Sequence, residues 1–127
     1  MSTRIPLTPA IVLVDDEPDV RIILRRVLMA VADGYDLIAV GTGAAALEAL
    51  EQRFAPLLIT DYNMPGMNGL ELAETVKAMS PTTVIVLITA YNSPDLARRS
   101  RAAAVDYYLP KPFPFDELEA IVRNALA

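Results

Sequence analysis

Asp15 and Asp16 stand side by side directly after the apolar run Ala10-Ile11-Val12-Leu13-Val14. A second run, Pro56-Leu57-Leu58-Ile59-Thr60, delivers a third carboxylate, Asp61. Lys111 follows another strand-like stretch, in Ala104-Val105-Asp106-Tyr107-Tyr108-Leu109-Pro110. If these runs are parallel strands of one sheet, three acids and an ammonium arrive at the same edge. That is an oxygen-only cation site beside a fixed positive charge, suited to Mg²⁺ and a phosphoryl group. Taken alone, Asp15-Asp16-Glu17-Pro18 reads equally well as an acidic helix start. Asp61 changes the balance, because three converging carboxylates repel one another and need a cation nearby. The chain has no His and no Cys. Imidazole and thiolate ligands or nucleophiles are therefore excluded.

The elements that must position these residues are legible in the hydrophobic pattern. Short, nearly continuous apolar runs at 10–14, 35–40, 56–60, 83–89 and 105–109 predict strands buried on both faces. Between them lie segments of helical period, over 18–32, 43–54, 69–79, 94–104 and 114–126. Val20, Ile23, Leu24, Val27, Leu28 and Val31 form the stripe of the first, with Arg21, Arg25 and Arg26 off it. Leu47, Leu50 and Phe54 form the second stripe, Leu72, Val76 and Met79 the third, and Leu118, Ile121, Val122 and Ala125 the last. The fourth opens on Ser93-Pro94-Asp95, a cap followed by proline at the first helical position, but its stripe is weak. Five strands alternating with five helices predict an α/β fold, a (βα)₅ flavodoxin-like, doubly wound parallel sheet of order 2-1-3-4-5. The first and third strands then meet at the topological switch point, where ligands bind beyond the strand ends. Asp15, Asp16, Asp61, Thr89 and Lys111 all fall at that edge.

A chain of 127 residues, 54% hydrophobic, is enough for one well-buried domain. Residues 1–9 read as a flexible lead-in and 10–127 as the domain. The formal net charge of −5 argues against nucleic-acid binding by this domain itself. No apolar stretch approaches the roughly 18–20 residues of a membrane helix, and residues 1–9 lack the apolar core of a signal peptide. A soluble, cytoplasmic location is expected, without membrane contact.

After Asp61 come Tyr62-Asn63-Met64-Pro65-Gly66-Met67-Asn68-Gly69, a turn-rich loop that must expose the carboxylate and bring a backbone carbonyl towards a metal. Thr89, Tyr107 and Tyr108 are also ordinary strand formers. Of the two tyrosines, one must face away from the other. Lys111-Pro112 permits a cis bond.

Val14-Asp15-Asp16-Glu17, Asp61 to Gly69, Leu87-Ile88-Thr89-Ala90-Tyr91 and Tyr107 to Phe113 together resemble the receiver domain of two-component response regulators, over about residues 10 to 126. The resemblance implies that Asp61 is the phosphoacceptor and that Asp16, Asp61 and the backbone carbonyl of Asn63 bind Mg²⁺. Asp15 would act mainly through a metal-bound water. Thr89 and Lys111 would each contact a phosphoryl oxygen, and Tyr108 would be the aromatic switch. It further implies a histidine kinase or histidine phosphotransfer protein as donor, and an output domain or effector protein as recipient. A homodimer through the fourth helix, fifth strand and fifth helix is a further expectation. Phosphotransfer and dephosphorylation would be self-catalysed, without the turnover of an enzyme. The chain departs from the family pattern at Ala104, where glycine is usual, and at Tyr107, where a small or acidic residue is common. Ala104 predicts a reshaped turn.

Two other functions fit the residues less well. A phosphatase with an aspartyl nucleophile usually carries a second acid two residues on, where this chain has Asn63, and a cap domain for which there is no room. A receiver-like interaction module that is never phosphorylated would not need the complete acidic pocket.

Overall fold

The computed structural model describes residues 8–127. Most of the lead-in expected over 1–9 thus lies outside the described residues. Thr8 and Pro9 are tied down: the Pro9 carbonyl accepts from the Asp36 amide at 3.0 Å, and the Thr8 carbonyl accepts from Arg53.

The elements in chain order are β1 (Ala10–Val14), α1 (Pro18–Met29), β2 (Asp36–Val40), α2 (Gly43–Gln52) and β3 (Leu57–Asp61). They continue with α3 (Gly69–Met79), β4 (Val84–Thr89), α4 (Pro94–Ala102), β5 (Tyr107–Pro110) and α5 (Phe115–Leu126). All strand pairs are parallel, in the order β2-β1-β3-β4-β5. The flavodoxin-like fold is therefore the observed one.

Alternation along the central strands splits the core in two. Ile11, Leu13, Ile59, Val86 and Ile88 face α1 and α5 and pack with Leu24, Leu28, Leu118 and Val122. Val12, Val14, Leu58 and Ile85 face the other way, against Ala46 of α2 and Leu72, Ala73 and Val76 of α3. Each fully buried Leu or Val contributes about 1.5–3 kcal/mol, so this double layer holds the strand ends rigid.

Several expectations need correction. β2 and β5 are only half-buried, not buried on both faces, because they are the sheet's edges. Phe54 lies beyond the end of α2 and is 58% exposed, while Ala46 takes the buried position on that helix. Ile23 and Met79 belong to their stripes by spacing but lie at the margins of their contacts and stay exposed. α1 stops at Met29, where a tight turn (the Val31 amide to the Leu28 carbonyl, 3.0 Å) replaces the last helical repeat. β5 starts at Tyr107 because residues 104–106 form a turn, with Ala104 at φ +62°. Ala104 itself takes the left-handed conformation that glycine favours.

Candidate functional site

The strand order brings the ends of β1 and β3 together, and with them the acids. The Asp15 amide continues the sheet by donating to the Val40 carbonyl at 3.1 Å. Its carbonyl accepts from the Arg21 guanidinium at 2.6 Å, and its carboxylate accepts from the Glu17 amide at 2.9 Å. This carboxylate therefore shapes the turn into α1. Glu17 is the N-cap without a side-chain bond, and Pro18 opens the helix. Asp61 is the last residue of β3, 7% exposed, and Asp15 is 1% exposed. Carboxylate oxygens of Asp15, Asp16 and Asp61 lie within 4.8 Å of one another.

Lys111 stands just past β5, its amide donating to the Thr89 carbonyl at 2.7 Å, and the Lys111-Pro112 peptide is cis. Its ammonium lies 3.4 Å from Asp61 Oδ1 and 4.0 Å from Asp15 Oδ2. Burial pushes the Asp61 carboxyl above the usual carboxylate range; the Lys111 charge opposes the rise, and Asp15 adds to it. Burial likewise raises Asp15, against the Glu17 amide and Lys111. One ammonium is insufficient compensation for three acids. Hard oxygen donors, crowded and under-neutralised, are the donor set that a small divalent cation such as Mg²⁺ fits.

Thr89, at the end of β4, is buried, and its Oγ1 accepts from the Tyr91 amide at 2.8 Å. The Tyr108 hydroxyl donates to the Tyr91 carbonyl at 2.9 Å. Tyr108 packs with Leu70, Leu96 and Ala103, whereas Tyr107 turns to the α1–α5 face and accepts from Asn124. The two tyrosines do face apart. Asn63 is exposed, two residues beyond Asp61, and none of the described contacts ties it to the acids. Neither Tyr91 nor Arg21 was given a role at the site by the sequence, although Tyr91 closes one of the motif blocks. Tyr91 acts through its backbone, which side-chain type does not reveal, and Arg21 read only as a charge off the α1 stripe.

A family profile described as "Response regulator receiver domain" matches residues 11–123. The chain belongs to the response regulator receiver domain family. Escherichia coli (strain K12) DNA-binding transcriptional regulator NtrC is 35% identical over 114 residues, covering 90% of this chain and 24% of that protein. The receiver thus spans about a quarter of the length of its NtrC relatives. Bacillus subtilis sporulation initiation phosphotransferase F is 28% identical and is matched over 91% of this chain and 92% of its own. Among solved structures, Thermotoga maritima response regulator TrrA, in complex with Mg(2+)-BeF, superposes with a TM-score of 0.81. It is 34% identical over 92% of this chain and 98% of its own. This domain is accordingly a phosphoacceptor signalling module of the two-component type.

Proposed function

We propose that Asp61 is the residue that receives the phosphoryl group. The observation that carries this reading is the Lys111 ammonium, 3.4 Å from a carboxylate held at a strand end among two further acids. An Asp61 oxygen attacks phosphorus in line, and the bond to the imidazole nitrogen of a donor phosphohistidine breaks. The imidazole leaves with the electron pair, and an aspartyl phosphate remains on this chain. Lys111 is already placed to follow the charge on the transferring oxygens, so catalysis is positioning and electrostatics. Asp16, Asp61 and the Asn63 carbonyl would hold Mg²⁺, with Asp15 contributing indirectly. When bound, the ion offsets charge on the phosphoryl oxygens.

To donate to a phosphoryl oxygen, the Thr89 hydroxyl must release the Tyr91 carbonyl, to which it donates at 3.3 Å. Tyr108 is bonded to the same residue's carbonyl, so that release also loosens Tyr108. α4 buries one apolar side chain, Leu96, and the Ser100 hydroxyl, so little apolar packing holds it in one position. This supports an output surface on α4, β5 and α5, where a homodimer or effector would meet the exposed Arg98, Arg99 and Arg101. The phosphoryl group stays on the protein's own carboxylate until water removes it, so the domain is a self-catalysing acceptor and not a turnover enzyme.

The donor is a histidine kinase or histidine phosphotransfer protein. An apolar groove of about 310 Å³, lined by Val20, Ile23, Lys111, Pro112 and Phe115 among others, supports a protein donor, since it opens beside the lysine. With a net charge of −5, the domain has no nucleic-acid role of its own in this reading. An output domain following it in a longer chain would carry any such role. No helix among the described residues is long and apolar enough to cross a membrane. A cytoplasmic location is part of the proposal.

Incubation with acetyl phosphate and Mg²⁺ should add one phosphoryl mass to the wild type and none to Asp61→Asn. Amide exchange over residues 90–108 should change in the wild type alone. Labelling of the mutant at wild-type stoichiometry would refute Asp61 as the acceptor.

A further inference from the structure

Thr60 is a fully buried hydroxyl that follows three apolar residues in β3, and the proposed mechanism does not use it. Its Oγ1 donates to the main-chain carbonyl of Asp61 at 2.9 Å. The amide of the same peptide, the Tyr62 N–H, donates to the Ile88 carbonyl on β4 at 2.8 Å. Both polar groups of the Asp61–Tyr62 peptide are thus engaged.

A third contact holds the next peptide along. Gly69, the first residue of α3, donates its amide to the Tyr62 carbonyl at 2.8 Å, pinching the loop at its neck. Its Cα lies so close that an added Cβ would stand 2.2 Å from the Asp61 carbonyl oxygen, 2.9 Å from Tyr62 Cα and 2.8 Å from Leu87 Cδ1. Two of those atoms are backbone and cannot swing aside. α3 cannot readily retreat either, because Asn68 and Glu71 lock its first turn in a reciprocal capping box at 2.8 and 2.9 Å.

Asp61 is the last residue of β3, so the peptide before it is held by the sheet, and these contacts hold the peptide after it. We propose that Thr60 and Gly69 are positioning residues. The Thr60 hydroxyl and the bare Cα of Gly69 fix the Asp61 peptide, and through it the carboxylate's approach to Lys111 and the neighbouring acids. This rests on Asp61 being the acceptor. A displacement of about 1 Å at a reacting group can lower a rate by up to a hundredfold. Such a device has functional consequence beyond stability.

Thr60→Val is the decisive variant, because it keeps the side-chain shape and removes only the hydroxyl. It should lower both Mg²⁺ affinity, measured by calorimetry with the metal alone, and the acetyl phosphate labelling rate, each by about three- to tenfold. Thr60→Ser should restore both. Gly69→Ala should lower both further. Val76→Ala, which opens a cavity under the same helix, should reduce the melting temperature while leaving both within about twofold. Wild-type affinity and rate in Thr60→Val would overturn the proposal, and this result stands even if Gly69→Ala fails to fold. Equal losses in Val76→Ala would overturn it too, by showing that general stability sets both readouts. Failure of the wild type itself to label at Asp61 would instead sink the acceptor assignment.

Discussion

Asp61 and Asp15 are acids that the fold places where their charged forms are disfavoured. Burial is the largest cause for both, and Lys111 only partly offsets it. The sign of the pH effect follows. Both carboxyls lie above the ordinary value of 3.8 when folded, so between 3.8 and that raised value the native state binds more protons than the unfolded one. Their contribution to stability is fully present below 3.8 and is lost as pH rises through the raised values. The metal-free domain should lose stability over that window, and Asp61→Asn, neutral throughout, should lose less. At neutral pH the mutant should melt above the wild type in chelator. A mutant that melts lower at neutral pH would contradict this account of the pocket.

The three acids differ in how free they are for a cation. Asp15 already accepts from the Glu17 amide and faces Lys111, whereas Asp16 is less buried than its neighbour. Asp16→Ala should therefore weaken Mg²⁺ binding by about tenfold or more, and Asp15→Ala by less. Calorimetric titration of the two variants decides the order, and a larger loss in Asp15→Ala would reverse it.

Among the elements, the junction of α4 and β5 holds the one non-glycine residue with positive φ among the described residues. Ala104 sits at φ +62°, a conformation that costs a non-glycine residue about 1–2 kcal/mol. Neighbouring backbone bonds enforce it: the Ala104 amide donates to Arg101, that of Val105 to Ser100 and that of Asp106 to Ile85. Lys77 reaches across from α3 to Asp106 at 3.0 Å. Ala104→Gly removes the strain, while the freer unfolded chain takes back up to about 1 kcal/mol. The expected net gain is about 0.5 kcal/mol, near 2 °C in melting temperature for a domain of this size. A fall in melting temperature would mean that the positive φ is not strained.

At the scale of the molecule, the parallel sheet sends the proposed functional residues to one end, and the proposed phosphohistidine donor would approach there. Beside Lys111 that end offers the groove between the start of α1 and the β5–α5 connection, with Ile23 47% exposed and Phe115 50% exposed. Exposed apolar residues at such a rim are contacts waiting for a partner. Ile23→Glu should slow transfer from a phosphohistidine-bearing protein by about tenfold and leave labelling by acetyl phosphate unchanged, since a small donor needs no groove. Equal slowing with both donors would place the defect in the pocket instead.

Much of this was legible in residue order. Strand and helix periods differ, so 10–14, 56–60 and 83–89 could be read as buried strands, within a residue of the observed β1, β3 and β4. Parallel connection of those strands places Asp15, Asp16, Asp61, Thr89 and Lys111 at a common edge. What the residues alone did not decide depends on through-space packing. The half-exposed state of β2 and β5 follows from being edges, and an apolar strand reads alike at an edge or in the centre. Phe54 and Met79 have the right period but nothing opposite them. The hold on Asp61 joins the neighbouring Thr60 with Gly69, eight residues on, and Ile88 of another strand, through main-chain atoms. Hydrophobic period records which face a side chain takes. The meeting of backbone groups from separate segments leaves no trace in side-chain type, and only the tertiary fold determines it.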